Sequence, residues 1–357
     1  MTGSVAESSV ADRIVITGWS ALTPFGHGRA AFADGVLRGE PAKAVPTKDD
    51  WARADARVVP DFDIVEQLGR KGTSSMDRAS ALAIATLRDL ARETDIDART
   101  GVVLGTTSGS NRTQFEFTRD SLTRRRPYFV NPAQMPFALM NSAAAQCAMW
   151  HGLTGPNSTV AAGRTSGPAV LRYASRLLRT GRASGVFAGA VEEHSGAREL
   201  LEPGGTLGEA SVLLFMQTPD NGNRPALAEV VALDTRVGEP RSALAGCLEH
   251  VLSGLAVDEV WGLALTAEDP ELSEVEREAT GELLNRQVTT VVRPGHLVGD
   301  TGAASGVLGV AALLAAAAAD VRARDRLAVV TSVDRDGTAG AVVLRLTGSP
   351  QELRGEG

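Results

Sequence analysis

The sequence is poor in lysine, cysteine, aromatic residues and long apolar runs, and these shortages narrow the class of protein. The chain has 357 residues, a formal net charge of −7 and a pI of about 5.4, so nucleic acid and anionic membranes are not expected partners. Lysine occurs at positions 43, 48 and 71 and nowhere else, so nearly all cationic side chains are arginines. This bias, with the abundant alanine, is typical of a GC-rich genome.

The two cysteines, Cys147 and Cys247, are far apart in apolar helical contexts and fit no metal-ligand spacing. We therefore expect neither a disulfide framework nor a metal site, and a reducing cytoplasm is the expected location. Residues 1–12 are polar and lack the basic and apolar regions of a signal peptide. The most apolar run, 307–319, is shorter than the ~20 residues of a membrane span and indicates a buried helix.

Short β-branched runs bounded by glycine alternate with alanine- and leucine-rich stretches, which is the pattern of an α/β fold. In the first half this pattern predicts strands at 13–18, 101–105, 158–162 and 185–189, and helices at 76–93, 135–151 and 166–180. In the second half it predicts strands at 226–232 and 257–265, helices at 242–255, 274–284 and 302–319, and paired strands at 327–332 and 340–346.

The two halves also share a local layout, because 182–193 and 326–336 each run from a basic residue through an apolar strand to an acidic turn. We therefore predict a duplicated α/β fold whose halves meet at the turn-rich segment 218–225. The predicted organisation is a disordered tail at 1–12, halves at 13–221 and 222–347, and a flexible tail at 348–357.

The segment 155–167 is typical of a strand, a tight turn and a helix start, the frame that presents a nucleophile at a helix N-terminus. Arg164 stands at the tip of that turn. A guanidinium stays protonated and has no lone pair to offer, so Arg164 cannot act as a nucleophile. Either the site has lost its chemistry, or Arg164 is an ordinary surface arginine on a loop.

Several short motifs occur in a specific order along the chain. They are 13–18 with Thr23-Pro24-Phe25-Gly26, then Met76-Asp77-Arg78, Gly155-Pro156-Asn157, Gly181-Arg182-Ala183, 188–192 and Gly208-Glu209-Ala210. From about residue 13 to 346 this order resembles the ketosynthase family, the β-ketoacyl-acyl carrier protein synthases of the thiolase fold. The resemblance implies a duplicated fold of α/β/α/β/α layers.

Active members of that family use one cysteine and two histidines, and the resemblance places Arg164 at the cysteine and Leu263 at the first histidine. The second histidine is kept as His296, while the glycine-rich turn that closes the family's active site is degraded at 333–338. The resemblance thus implies that thioester formation and part of the decarboxylation machinery are lost. His296 then has either a residual catalytic role or a structural role in holding the glycine-rich turn. We favour the structural role, because no nucleophile is nearby.

The stretch 114–122 resembles the Phe-Glu-Phe-Thr segment of chain-length factors, the inactive ketosynthase homologues of type II polyketide synthases. In those proteins this helix lines the far end of a tunnel shared with an active ketosynthase, which implies a tunnel-gating role for Phe115, Thr118 and Leu122. Spacings of three and four residues place these side chains on one helical face. A face that is simply buried core would show the same pattern.

Three departures from the chain-length factors indicate a divergent member. Arg164 replaces the usual glutamine, the segment 195–206 is shorter, and Leu122 replaces a bulkier aromatic residue. These departures favour the factors that serve reduced, polyene-type chains.

The resemblance implies an active ketosynthase as the heterodimer partner, a phosphopantetheinylated acyl carrier protein as the carrier of the chain, and no cofactor. In that family 135–151 and the strand at 158–162 face the partner, which assigns to the interface Phe137, Met140, Asn141, Ala144, Ser158 and Val160. Arg124, Arg125 and Arg126 either dock the acidic carrier protein or form a solvated loop. The glycine-rich segment 299–306 does not follow a strand, so no nucleotide site is predicted.

Three functions are compatible with the sequence. The first is a noncatalytic partner that limits elongation by filling a tunnel. The second is an independent decarboxylase or acyltransferase that uses His296 with Arg164 as an anion-binding group. The third is a scaffold without effect on the product.

Overall fold

The computed structural model describes residues 13–46, 52, 55–202, 205–284, 288–348 and 352. The tail predicted at 1–12 lies outside the described residues, as does most of the tail predicted at 348–357. Within the described ranges no helix is long and apolar enough to cross a membrane. The same ranges contain no group of histidine, cysteine, aspartate and glutamate side chains that could hold a metal ion.

Strands and helices alternate along the chain. The strands are β1 (Val15–Thr23), β2 (Gly26–His27), β3 (Gly101–Gly105), β4 (Asn157–Val160), β5 (Gly185–Glu192), β6 (Ala210–Gln217), β7 (Ala228–Val237), β8 (Val260–Ala264), β9 (Thr290–Val292), β10 (Leu327–Val333) and β11 (Thr338–Leu346). The helices are α1 (Gly28–Arg38), α2 (Ile64–Leu68), α3 (Arg78–Ala91), α4 (Asn111–Thr123), α5 (Ser142–His151), α6 (Ser166–Arg179), α7 (Gly196–Leu201), α8 (Pro240–Leu252), α9 (Pro270–Leu284), α10 (Pro294–Val298) and α11 (Ser305–Ala317).

The sheet repeats one topology twice. Its strand order is β4-β3-β5-β6-β1-β7-β11-β10-β8-β9, with β2 paired to β1. From either edge inward, β4-β3-β5-β6-β1 and β9-β8-β10-β11-β7 follow the same order and the same parallel and antiparallel pairings. The strands β1 and β7 join the two sets. The duplicated α/β arrangement is therefore as predicted.

Three apolar clusters separate the helical layers. The first surrounds α6 and α11 and includes residues from both halves of the sheet. The second packs α3 and α5 against the other face of the first half, and the third packs α8 and α9 against the other face of the second half. The result is five layers, with helices outside, helices at the centre and a half-sheet on each side of the central pair.

The central helices α6 and α11 begin with equivalent turns, 163–167 and 302–306. Gly163 and Gly302 take left-handed φ values of 53° and 50°, which favour glycine at both positions. A Cβ on Gly167 would lie 2.8 Å from the Cα of Gly306, so the two helix starts meet backbone to backbone. This close approach fixes the position of the turn that carries Arg164.

Two predicted elements are wrong in part. The single helix predicted at 135–151 is a 3₁₀ helix, Pro132–Ala138, followed by a break and then α5. Pro136 lies inside the 3₁₀ segment and has no N–H to donate, which disfavours a continuous α-helix there. The strand predicted at 257–265 starts with the 3₁₀ turn Val257–Glu259, and β8 forms the rest.

Candidate functional site

Arg164 lies in the 3₁₀ turn Gly163–Thr165 between β4 and α6, and its side chain is 19% exposed. It contacts three carboxylates. Nη2 lies 2.5 Å from Asp300 Oδ2 and 3.6 Å from Glu202 Oε2, and Nη1 lies 3.3 Å from Asp334 Oδ1. The backbone N–H of Arg164 also donates to Asp334 Oδ2 at 2.8 Å. Arg164 therefore belongs to an ion-pair cluster and is not an ordinary surface arginine.

The ion-pair cluster holds Arg164 and Asp300 in their charged forms. Burial alone would lower the pKa of Arg164, but attraction to Asp300, Asp334 and Glu202 outweighs it and raises that pKa above its ordinary value. Burial would likewise raise the pKa of Asp300, but Arg164 and Arg198 hold it below its ordinary value. The turn at Arg164 therefore offers a permanently protonated group where a nucleophile needs a lone pair.

Arg198, in α7, is a central residue that the sequence analysis missed. It is 0% exposed. Its guanidinium donates to the carbonyls of Gly208, Asp300 and Glu193 at 2.9, 3.1 and 3.3 Å, and to both carboxylate oxygens of Glu202 at 3.3 Å. No motif or periodicity marks a buried arginine whose partners lie up to 102 positions away.

A cavity of about 480 Å³ opens beside Arg164. Its charged lining consists mostly of carboxylates. These are Glu202, Glu268, Asp269, Asp300, Asp334 and Asp336, and the two cations in the lining are Arg164 and Arg335. Such a wall disfavours an apolar acyl chain and repels a malonyl carboxylate.

Leu263 and His296 do not line this cavity. Leu263 is buried in the third apolar cluster, among the residues that pack with α8 and α9. His296 is exposed on α10, and its carbonyl accepts a hydrogen bond from Arg57 Nη1 at 3.0 Å.

The glycine-rich turn after α10 is held by a carboxylate. Asp300 Oδ1 accepts from the N–H of Gly302 at 2.9 Å. The His296 carbonyl accepts from Arg57, while no hydrogen bond of its ring is found within the described ranges, so the role of this histidine stays a prediction. Asp300, four residues further on, both holds the turn and contacts Arg164.

Phe115, Thr118 and Leu122 lie on one exposed face of α4. Phe115 is 37% and Leu122 is 79% exposed, and Thr118 is exposed as well. The alternative that this face is buried core is therefore wrong.

The N-terminus of α4 is held by a buried glutamate, Glu193, that directly follows β5. Glu193 Oε1 accepts from Ser110 Oγ at 2.9 Å and from the N–H of Arg112 at 3.3 Å. Ser110 is the N-cap of α4, since its side chain accepts from the N–H of Thr113. Burial, with repulsion from Asp77, raises the pKa of Glu193 to about 8.

Exposed apolar side chains are concentrated between residues 115 and 149. Among the described residues this segment supplies Phe115, Leu122, Tyr128, Phe129, Met135, Leu139, Met140 and Met149. An apolar surface of this kind is typical of a protein–protein interface.

The residues assigned to the interface divide into two groups. Met140 and Asn141 are exposed, and Ser158 and Val160 are half-buried on the edge strand β4. The assignment of Phe137 and Ala144 is wrong, because their side chains are buried in the second apolar cluster of their own chain. Phe137 turns inward since 132–138 is a 3₁₀ helix, whose residues face other directions than those of an α-helix.

Arg124, Arg125 and Arg126 are exposed in the connection that follows α4. Two of them have partners within the chain. Arg124 Nη2 lies 2.8 Å from Asp120 Oδ2, and the Arg126 guanidinium lies 5.8 Å from the ring centroid of Tyr128. Carrier-protein docking at this loop stays a prediction.

Residues 11–207 match the family model described as the beta-ketoacyl synthase N-terminal domain. The chain belongs to the β-ketoacyl synthase family. It is 31% identical over 197 residues to the tetracenomycin polyketide synthase ketoacyl synthase alpha subunit of Streptomyces glaucescens, covering 50% of this chain and 46% of that protein. It is 28% identical over 192 residues to 3-oxoacyl-acyl-carrier-protein synthase 2 of Vibrio harveyi, covering 51% and 46%. The chain spans about half the length of the curated relatives it matches.

Solved structures agree with this family. A chain of the ishigamide ketosynthase/chain length factor is 40% identical, with a TM-score of 0.89 over 94% of this chain and 100% of that chain. A type II polyketide synthase acyl-carrier protein complex with its ketosynthase is 15% identical, with a TM-score of 0.78 over 94% and 99%, and shows the fold alone. The predicted thiolase-like fold and the resemblance to ketosynthase-like chain-length factors are confirmed.

Proposed function

We propose that this chain is a noncatalytic chain-length factor. It pairs with an active ketosynthase and limits the elongation of a polyketide that is carried on acyl carrier protein. The observation that carries the proposal is the pairing of Arg164 with Asp300, Asp334 and Glu202, at the position where the resemblance places the family's cysteine. A guanidinium in that position cannot form a thioester.

The alternative of an independent decarboxylase or acyltransferase needs Arg164 to bind an anion. Its guanidinium is already paired with carboxylates, and further carboxylates line the adjoining cavity. His296, the other group that this alternative needs, is exposed and lies outside the cavity lining. Both observations favour the noncatalytic role.

The gating mechanism is steric. Phe115, Thr118 and Leu122 present one apolar face to the outside of the chain, where a partner subunit can close over them. A close-packed tunnel that ends on these side chains accepts a growing chain until it is full. A further extension unit then requires overpacking, which costs about 1–3 kcal/mol, and elongation stops.

The test is product analysis with the reconstituted pair of this chain and its ketosynthase, supplied with loaded carrier protein. Phe115→Ala deepens the tunnel and should lengthen the products. Phe117→Ala is the matched control, because it removes the same side chain from another face of α4 and should leave product length unchanged. An unchanged product distribution for Phe115→Ala in an intact heterodimer would refute the gate and favour a pure scaffold.

The noncatalytic assignment has a separate test. The purified chain alone should not turn over malonyl-loaded carrier protein. Turnover that His296→Ala abolishes would establish the enzymatic alternative. The same product analysis shows whether the chain made is a reduced, polyene-type chain, which stays a prediction.

A further inference from the structure

The helix that follows Arg164 has a strongly basic exposed face. In α6 the side chains of Arg172, Arg176 and Arg179 are exposed, with Tyr173 between them at 37% exposure. The opposite face of α6 is buried in the first apolar cluster. These arginines therefore sit on a rigid, well-anchored helix, unlike the arginines of the loop after α4.

A groove of about 680 Å³ runs along this face. It is lined by the three arginines and Tyr173, by Ala169, Thr180 and Thr235, and by Val160 of β4. None of the described residues that line it carries a carboxylate. Arg172 Nη1 donates to the hydroxyl of Thr235 at 2.7 Å, so this contact leaves its charge uncompensated. This groove, called the arginine groove below, concentrates positive charge on a chain whose net charge is −7.

The arginine groove adjoins the edge strand β4, and Val160 belongs to both. Within the described ranges β4 pairs with β3 and with no other strand. An edge strand presents unpaired N–H and C=O groups, which a partner subunit can cover. The helix α5, with exposed Met149, lies on one face of the sheet at this edge and α6 lies on the other. A partner that covers β4 therefore meets an apolar surface on one side and the arginine groove on the other.

We propose that the arginine groove selects the partner, because it binds a carboxylate-bearing segment of the ketosynthase subunit and repels a second copy of this chain. The inference rests on the proposed pairing with a ketosynthase. In a symmetric homodimer through β4 the two copies would join identical surfaces, so both arginine grooves would border the same interface and their positive charges would repel. Like charges at an interface disfavour the wrong partner, whereas opposite charges speed and stabilise association with the right one.

The experiment compares two double variants of equal charge change. Arg172→Glu with Arg176→Glu reverses charge in the groove, and Arg70→Glu with Arg182→Glu reverses charge at exposed positions outside it. Affinity for the ketosynthase subunit is measured by biolayer interferometry at low and high NaCl, and circular dichroism checks that both variants fold. The groove variant should bind about tenfold more weakly or worse at low salt. The wild type should weaken with salt more steeply than the groove variant.

Self-association is measured on the same proteins by sedimentation velocity. The groove variant should self-associate more strongly than the wild type, and the control variant should not. Equal ketosynthase affinity for the groove and control variants would overturn the inference while leaving the proposed function intact. Loss of carrier-protein binding with unchanged ketosynthase binding would also overturn it, since the groove would then serve the carrier. A wild-type chain that binds no ketosynthase would instead refute the proposed function.

Discussion

Replacing Arg164 by methionine removes the guanidinium of the ion-pair cluster and keeps an unbranched side chain in its place. The change leaves the Asp300 carboxylate, which is 10% exposed, beside Asp334 and Glu202. Arg198, a buried cation near these groups, already donates to Glu202 and to backbone carbonyls, and Arg335 of the same cavity is exposed and pairs with Asp269. We therefore expect a substantial loss of stability and no loss of a catalytic activity.

The magnitude follows from burial. Removing one partner of a buried ion pair costs about 3–5 kcal/mol, and we expect the lower end, about 3 kcal/mol, since Arg164 is 19% exposed. For 357 residues the unfolding entropy is about 0.75 kcal/mol per kelvin, so the melting temperature should fall by about 4 °C. Differential scanning calorimetry of the wild type and Arg164→Met measures this shift.

The matched control is Arg335→Met, which removes an arginine from the same cavity. Arg335 is 63% exposed and pairs with Asp269, and exposed pairs contribute about 0–1 kcal/mol. An Arg164→Met variant that melts no lower than Arg335→Met at neutral pH would contradict the expected cost of breaking the buried ion pair.

The stability that Arg164→Met loses relative to the wild type should also depend on pH. Because the folded pKa of Asp300 lies below its ordinary value of 3.8, its stabilising effect is present above that pH and is lost as the pH falls through the folded value. In the variant, protonation relieves the unpaired carboxylate. The difference between wild type and variant should therefore shrink below about pH 4, and a constant difference would contradict the ion-pair explanation.

Three further predictions concern stability. Burial raises the pKa of Glu193 from 4.5 to about 8, so the folded state binds the proton more tightly than the unfolded state and loses stability as the pH rises between these values. The melting temperature should therefore fall over this pH range, and Glu193→Gln should make that fall less steep. An unchanged slope in the variant would contradict this role of Glu193. Gly167→Ala should cost about 1–3 kcal/mol in chemical denaturation, because its Cβ would lie 2.8 Å from Gly306 Cα. A Cβ on Gly281 in α9 would meet no atom within 4 Å outside the helix's own backbone, so Gly281→Ala should raise the free energy of unfolding by about 0.5–1 kcal/mol. Changes of the same sign for Gly167→Ala and Gly281→Ala would contradict both expectations.

Strands and helices whose ends are marked by residues near them in the sequence were predictable. The strand β3 has the predicted bounds, and α6 differs from its prediction by one residue. Glycines and turn residues mark those ends, and the apolar pattern inside them is continuous. The division of the halves near residue 222 stays a prediction, although both halves of the sheet repeat the same strand order.

The partners of Arg164 were not predictable, because they depend on chain segments that only folding brings together. Asp300 and Asp334 are 136 and 170 positions away. The direction of Phe137 was mispredicted for a local reason, since a 3₁₀ segment with an internal proline replaces the expected α-helix. The exposure of the α4 face likewise depends on tertiary packing, which a periodic pattern does not specify.

The equivalent turns at 163–167 and 302–306 have an evolutionary consequence. Ala303 holds in the second half the place that Arg164 holds in the first, so the shape of the turn depends on its glycines and not on the side chain at its tip. Catalysis can therefore be lost by substitution at the tip while the scaffold persists. The reverse substitution is disfavoured by the present neighbours of the tip, because Asp300 and Asp334 would raise the pKa of a thiol placed there and keep it unreactive.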